Sequence, residues 1–264
     1  MSLIEVLSIV LVQLSIGGLL LTALLPPRVI HSSFFSVNSL IGAVASGLAL
    51  VLTKFVLMEE WVYVRFLGLT VLGATAAYGA YRLEKPELGR ILLVLAGIVG
   101  LVFGLLPLAG HTLTARGLRT CAPWFFEAGM MAGALLLGAT TVAMILGHWY
   151  LIMHRLSFVY LQRFAQLLLG AVALRWIVFL ATLTMLSRFD PSLAATIINP
   201  LWSGHGDLFF FISRVFWGLV LPLVLGIAVL RCVLRRANQA ATGLLYVTLI
   251  CVLFGELFAA YLLL

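Results

Sequence analysis

The run PWFFEAGMMAGALLLGATTVAMILGHWY, Pro123–Tyr150, holds one Asp, Glu, Lys or Arg in 28 positions, Glu127. A helix rises 1.5 Å per residue, so about 20 apolar residues cross the roughly 30 Å hydrocarbon core of a bilayer. No water is present there to satisfy backbone N–H and C=O groups, so a run of this length has to pair them internally, as an α-helix. Working outward, seven further stretches read the same way: Leu3–Leu25, Phe35–Met58, Trp61–Tyr81, Ile91–Ala109, Ser157–Leu186, Leu208–Leu230 and Ala240–Leu264. The sequence therefore predicts an all-α, polytopic integral membrane protein of about eight transmembrane helices, with little of the chain outside the bilayer.

Composition points the same way. Of 264 residues, 64% are hydrophobic and 9% charged, against roughly 25% charged in a soluble domain. A mean hydropathy of +1.20 matches lipid as the main solvent. The net charge of +7 comes from single basic residues between apolar runs, with no basic stripe or tail, which argues against a nucleic-acid partner. Cys121, Cys232 and Cys251 form no CxxC pair, and their number is odd. A disulfide framework or a zinc site is not expected. The start, Met1-Ser2-Leu3-Ile4-Glu5, lacks the basic segment of a signal peptide and reads as the first helix.

The breaks between runs have chemical causes. Pro26-Pro27 ends the first helix, and Glu59-Glu60 marks a tight turn flanked by Lys54 and Arg65. Arg82–Arg90 reads as a short charged loop, His111–Ala122 carries Arg116 and Arg119, and Ser187–Asp207 is the longest connection. Basic residues bias a loop toward the cytoplasm. Arg28, Arg82, Lys85, Arg90, Arg155, Arg163, Arg231, Arg235 and Arg236 fall on one side. Lys54, Arg65, Arg116, Arg119, Arg188 and Arg214 fall on the other, where Lys54, Arg65 and Arg214 can also sit within helices. The bias places both termini on the non-cytoplasmic side of a bacterial-type inner membrane.

Two halves, 1–122 and 123–264, show local likeness. Leu40-Ile41-Gly42-Ala43-Val44-Ala45 corresponds to Leu168-Leu169-Gly170-Ala171-Val172-Ala173, Val102-Phe103-Gly104 to Leu253-Phe254-Gly255, and His31 with Phe35 to His154 with Phe158. Apolar text of low complexity also yields such matches by chance. Read as a duplication, they predict two four-helix repeats inserted in the same orientation. Under this alignment Arg175 stands against Gly47, and Glu256 against Leu105. Polar chemistry is then concentrated in the second half.

An ionisable side chain within a membrane helix costs about 2.5–3.5 kcal/mol on insertion scales and normally faces a partner inside the bundle. Arg175 and Glu256, at similar depth, are expected to pair or to line one polar pocket. They are the first candidates for quinone or proton handling, against a purely structural ion pair. Glu127 reads as an interfacial carboxylate or a member of a proton path. Asp207 reads as an N-cap, and His205 as a proton relay or a partner for a quinone carbonyl. His148 and His154, six apart, do not share a helix face. Trp149 and Tyr150 between them read as an interfacial aromatic belt. All five histidines, His31, His111, His148, His154 and His205, fall at helix ends. Haem b, which needs axial histidines within helices, is thus weakly indicated, with His31, His148 and His154 the weak candidates for haem or metal. Gly129-xxx-Gly133, Gly100-xxx-Gly104 and Gly42-xxx-Ser46 read as packing spacings, while Pro107 and Pro222 predict kinks.

No Gly-rich phosphate loop, Asp-rich pair or HExxH motif is present, so enzyme chemistry is confined to lipid-soluble substrates or to a partner subunit. Three functions fit. The first is a membrane-anchoring, quinone-interacting subunit of a respiratory or electron-transfer complex, held in the lipid bilayer with other protein subunits. The second is a small transporter or permease, and the third a structural or assembly subunit without chemistry. Two bundles of four helices resemble the layout of the quinone-binding membrane subunits of polysulfide reductases, a likeness of architecture with no shared motif behind it.

Overall fold

The computed structural model describes residues 3–56, 61–108, 110, 124–153, 157–189 and 205–262, and among these every regular element is a helix. The helices are α1 (Leu3–Ala23), α2 (Ser32–Val56), α3 (Trp61–Arg82), α4 (Pro86–Gly100, continuing through a π turn at Leu101–Leu105), α5 (Trp124–Ile152), α6 (Val159–Phe189), α7 (His205–Val215, a π turn at Phe216–Val220, then Leu221–Leu234) and α8 (Asn238–Leu262). Seven are long and apolar enough to cross a membrane. The other, α3, is 22 residues long, carries Arg65, Thr70, Thr75, Tyr78 and Tyr81 among its apolar residues, and packs between α2 and α4. The chain is an all-helical, multi-pass membrane protein.

Helix α5 explains why its sequence is apolar on every side. It packs against α1, α6 and α8, and most of its surface is buried. A helix apolar all round belongs in the interior or in lipid, and α5 and α1 are central. Around them α1, α2, α3 and α4 touch in a closed circuit, and α5, α6, α7 and α8 do likewise. The circuits meet where α1 lies against α5. At that crossing Gly17 and Gly138 bring the two backbones together: a Cβ on Gly17 would lie 2.8 Å from the Ala134 carbonyl carbon, and one on Gly138 would lie 2.7 Å from Gly17 Cα. The outer helices turn Leu, Val, Ile and Phe side chains outward, the expected face toward lipid.

Two turns have the same construction. After α3, Glu84 has a φ of 57°, and the Lys85 N–H donates to the Ala80 carbonyl at 2.9 Å. After α7, Arg236 has a φ of 58°, and the Ala237 N–H donates to the Cys232 carbonyl at 2.9 Å. Both close the preceding helix with a left-handed residue and a 6→1 bond. Much of the expected Arg82–Arg90 loop is helical instead, because Pro86 suits the first helical position with its fixed φ and absent N–H. Arg90 lies in α4, where its Nε donates to the Ala23 carbonyl at 3.0 Å and satisfies an orphan acceptor at the end of α1. Arg28 and Glu87 pair on the surface at 2.9 Å.

Pro107 and Pro222 each follow a π turn that ends two residues earlier. Proline supplies no N–H and its ring crowds the carbonyl four residues back. A locally widened turn re-pairs the ladder: the N–H of Leu106 reaches Leu101 O, and that of Leu221 reaches Phe216 O. The Glu59-Glu60 turn, the His111–Ala122 loop with Cys121, and most of the Ser187–Asp207 connection lie outside the described residues.

Candidate functional site

Among the described residues the buried charged side chains are Arg175, Arg214 and Glu256. They come from α6, α7 and α8 and converge. Arg175 and Glu256 face each other as two parallel bonds, Nε donating to Oε1 at 3.0 Å and Nη2 to Oε2 at 2.9 Å. This bidentate geometry is the strongest form of the guanidinium–carboxylate pair. The third nitrogen of Arg175, Nη1, donates to the Gly129 carbonyl of α5 at 2.8 Å. The contact expected of Arg175 and Glu256 is therefore present, with both side chains almost wholly enclosed.

Arg214 adds a second cation. Its Nη2 stands 3.9 Å from Glu256 Oε1, an ionic contact beyond hydrogen-bond length. Its guanidinium lies 5.9 Å from the centre of the Phe179 ring. The residue is 0% exposed, and its Nε, Nη1 and Nη2 have no hydrogen-bond acceptor among the described residues. Leaving buried donors unpaired costs about 1–3 kcal/mol for a neutral group and more for a charged one. The cluster thus carries two guanidinium groups against one carboxylate.

Glycines make the room. A Cβ on Gly129 would meet Arg175 Nη1 at 3.3 Å. One on Gly133 would meet Gln13 Nε2 at 2.7 Å and Glu256 Cδ at 3.1 Å. Gly218, one turn after Arg214, and Gly255, beside Glu256, touch backbone to backbone, with a Cβ on Gly218 falling 3.0 Å from Gly255 Cα. Gln13 brings α1 to the same place. Its Nε2 donates to the Met130 carbonyl at 3.2 Å, and its buried Oε1 has no donor among the described residues. Arg214 lies six residues into the span Leu208–Leu234 and Glu256 six from the end of Asn238–Leu262. At 1.5 Å per residue these two charges sit about 9 Å inside the ends of those spans.

The Gly129-xxx-Gly133 spacing, read as helix packing, therefore serves to seat charged side chains. Gly104 faces open space, and Gly100 packs on Ile16 and Thr70. Arg214, counted with the basic residues of one side and allowed a place within a helix, was not among the candidate residues, and it lies fully inside the bundle. It occurs within an apolar run, as Arg175 does, and that was the signal available. Gln13, mid-run in α1, carried the same signal.

The remaining candidates stand apart or undescribed. Glu127 is half-buried in the first turn of α5. His31 is exposed ahead of α2, its Nδ1 accepting from the Ser33 N–H at 3.2 Å, and His148 is exposed near the end of α5. Helix α7 begins at His205, which places Asp207 inside the first turn rather than ahead of it. The side chains of both lie outside the described residues, as do His111 and His154. No group of three His, Cys, Asp or Glu able to hold a metal occurs among the described residues.

Beside the cluster, an apolar cleft of about 390 Å³ lies over α5 between α1 and α6. Ile16, Leu20, Ala128, Met131, Leu174 and Val178 are among its walls. Met131 and Leu174 are 44% and 40% exposed, so it opens outward. Among the described residues no polar side chain lines it. It suits a hydrocarbon chain and offers nothing to a polar headgroup. Comparison with protein families, curated proteins and solved structures finds no match for this chain.

Proposed function

We propose that this chain is the membrane-anchoring, quinone-handling subunit of an electron-transfer complex. In this reading its two four-helix halves are copies of one unit, inserted in the same orientation. The observation that carries the reading is Arg214, a buried guanidinium with no acceptor among the described residues, beside a carboxylate already held by another arginine. A quinone is lipid-soluble, and its carbonyl oxygens accept hydrogen bonds without bringing a full charge into the bilayer. When the ring is reduced, negative charge grows on those oxygens, and two guanidinium groups stabilise it. Glu256, in contact with both, is the residue placed to carry a proton. Electrons would come from redox subunits docked on the membrane face. The shared turns at Glu84 and Arg236 support the duplication.

Mild purification with associated subunits, followed by extraction and quantification of quinone, tests this reading. Quinone at near one per chain, lowered at least tenfold in Arg214→Leu, is expected. A complex free of quinone that also fails to bind a short-chain quinone analogue refutes it. The loop charges support an inner-membrane location with both termini on the non-cytoplasmic side. A reporter fused after Leu264 that is active only in the cytoplasm would overturn that orientation.

A further inference from the structure

A second cleft, also about 390 Å³, lies near the end of α1, between Leu24, Leu25 and Pro26 on one side and Tyr160, Arg163 and Phe164 of α6 on the other. It lies on the same α1–α6 seam as the apolar cleft over α5. The sequence positions run in register for antiparallel helices: residues 24–26 with 160–167 here, and residues 16–21 with 174–178 in the other. Arg163 is exposed and has no ion-pair or hydrogen-bond partner among the described residues. Among the described residues no acidic side chain lines this cleft.

We propose that this seam is a binding site for an anionic phospholipid, with the phosphate at Arg163 and one acyl chain running into the cleft over α5. Arg163 is four residues into α6, about 6 Å from its start at 1.5 Å per residue, which is headgroup depth. From Arg163 to Leu174 the same rise gives about 16 Å, close to half of the roughly 30 Å hydrocarbon core. Cation and apolar track thus have the spacing of a lipid's headgroup and chain within one leaflet. The upper cleft lacks polar walls, so it takes the chain. A free phosphate would gain nothing from that track. Basic side chains near an anionic surface attract it by about 1 kcal/mol each, which is about a fivefold preference over a zwitterionic lipid.

Native mass spectrometry of the delipidated full chain, titrated with phosphatidylglycerol or phosphatidylcholine of identical chains, tests the site. About fivefold tighter binding of phosphatidylglycerol is expected, with Arg163→Gln bringing the ratio near one and Arg163→Lys retaining it. Met131→Trp, which fills the upper cleft, should weaken the long-chain lipid several-fold and leave a six-carbon-chain phosphatidylglycerol unaffected. Equal binding of the two headgroups, or an unchanged preference in Arg163→Gln, overturns the proposal. So does one-for-one displacement of the lipid by a quinone analogue, which would give the seam to a quinone tail.

Discussion

Neutralising Glu256 should harm the protein more than neutralising Arg175, although the two share one bidentate contact. In Glu256→Gln the buried cluster keeps Arg175 and Arg214 and loses the only negative charge that faces them among the described residues. Removing one partner of a buried ion pair costs about 3–5 kcal/mol, largely because the other charge is left uncompensated. In Arg175→Gln the carboxylate keeps a cation, since Arg214 Nη2 already stands 3.9 Å from Oε1. At that separation and an effective dielectric constant of 20 the gross attraction is about 4 kcal/mol. Closing to hydrogen-bond length would also give Arg214 the acceptor it lacks. The cost of Arg175→Gln should then be roughly half that of Glu256→Gln, a difference of about 2 kcal/mol by the same reasoning. Thermal unfolding in mild detergent reads this as a midpoint gap of at least about 4 °C, at about 2 °C per kcal/mol for a chain of this size. The double variant should lose less than the sum of the singles, because the two sites share one contact. If Arg175→Gln proves as damaging as Glu256→Gln, or more so, Arg214 does not serve as the reserve cation and the reasoning fails.

Gly133→Ala should destabilise by about 1–3 kcal/mol, the usual cost of overpacking, since its Cβ would press on Gln13 and Glu256. Gly104→Ala, facing open space, should be neutral or stabilising, and the same unfolding assay separates the two. Glu84→Gly should raise the midpoint, because a left-handed φ of 57° costs a residue with a Cβ about 1 kcal/mol that glycine does not incur. Arg28→Ala should change stability by less than about 1 kcal/mol, as its pair with Glu87 is solvent-exposed on both sides. A larger loss there would mean that this pair does more than decorate a surface.

The helices were legible because lipid leaves the chain few choices: long apolar runs must close their own hydrogen bonds, and Pro26-Pro27 or clustered charges end them. The start of α4 was misplaced by five residues because charged residues were read as loop, whereas Pro86 and the 6→1 turn before it favour a helix that begins among charges. The Arg175–Glu256 contact was legible because two isolated charges at one depth have little alternative. Arg214 was missed for a local reason. Near the end of an apolar run an arginine can snorkel to the interface, and the sequence does not show whether its side chain points outward or across. Tertiary context decided it: Gly218 and Gly255 bring α7 against α8 one turn away, and the Phe179 ring lies 5.9 Å from the guanidinium.

The two halves share connectivity and turn geometry, yet among the described residues only the second holds buried charge, and packing shows what the other contributes. Where α4 meets α1, Gly97 receives Leu20 and Gly100 receives Ile16 and Thr70, so no room is left for an ionisable pair. Where α8 meets α5, Gly133 leaves its space to Glu256 and Gln13. The first half nevertheless reaches the charged site through α1, which supplies Gln13 to the cluster and one wall of the apolar seam. A close fit in one half therefore holds α1 rigidly against α5, and that fixed pair keeps the Glu256 carboxylate in place on the other side. Loosening the first half at a point remote from every charge, for instance with Leu20→Ala, should then disturb the Arg175–Glu256 geometry only if α1 shifts on α5. Cysteine cross-linking across the α1–α5 crossing, followed in Leu20→Ala, would read that shift. An unmoved crossing combined with loss of the quinone binding proposed above would contradict this division of labour.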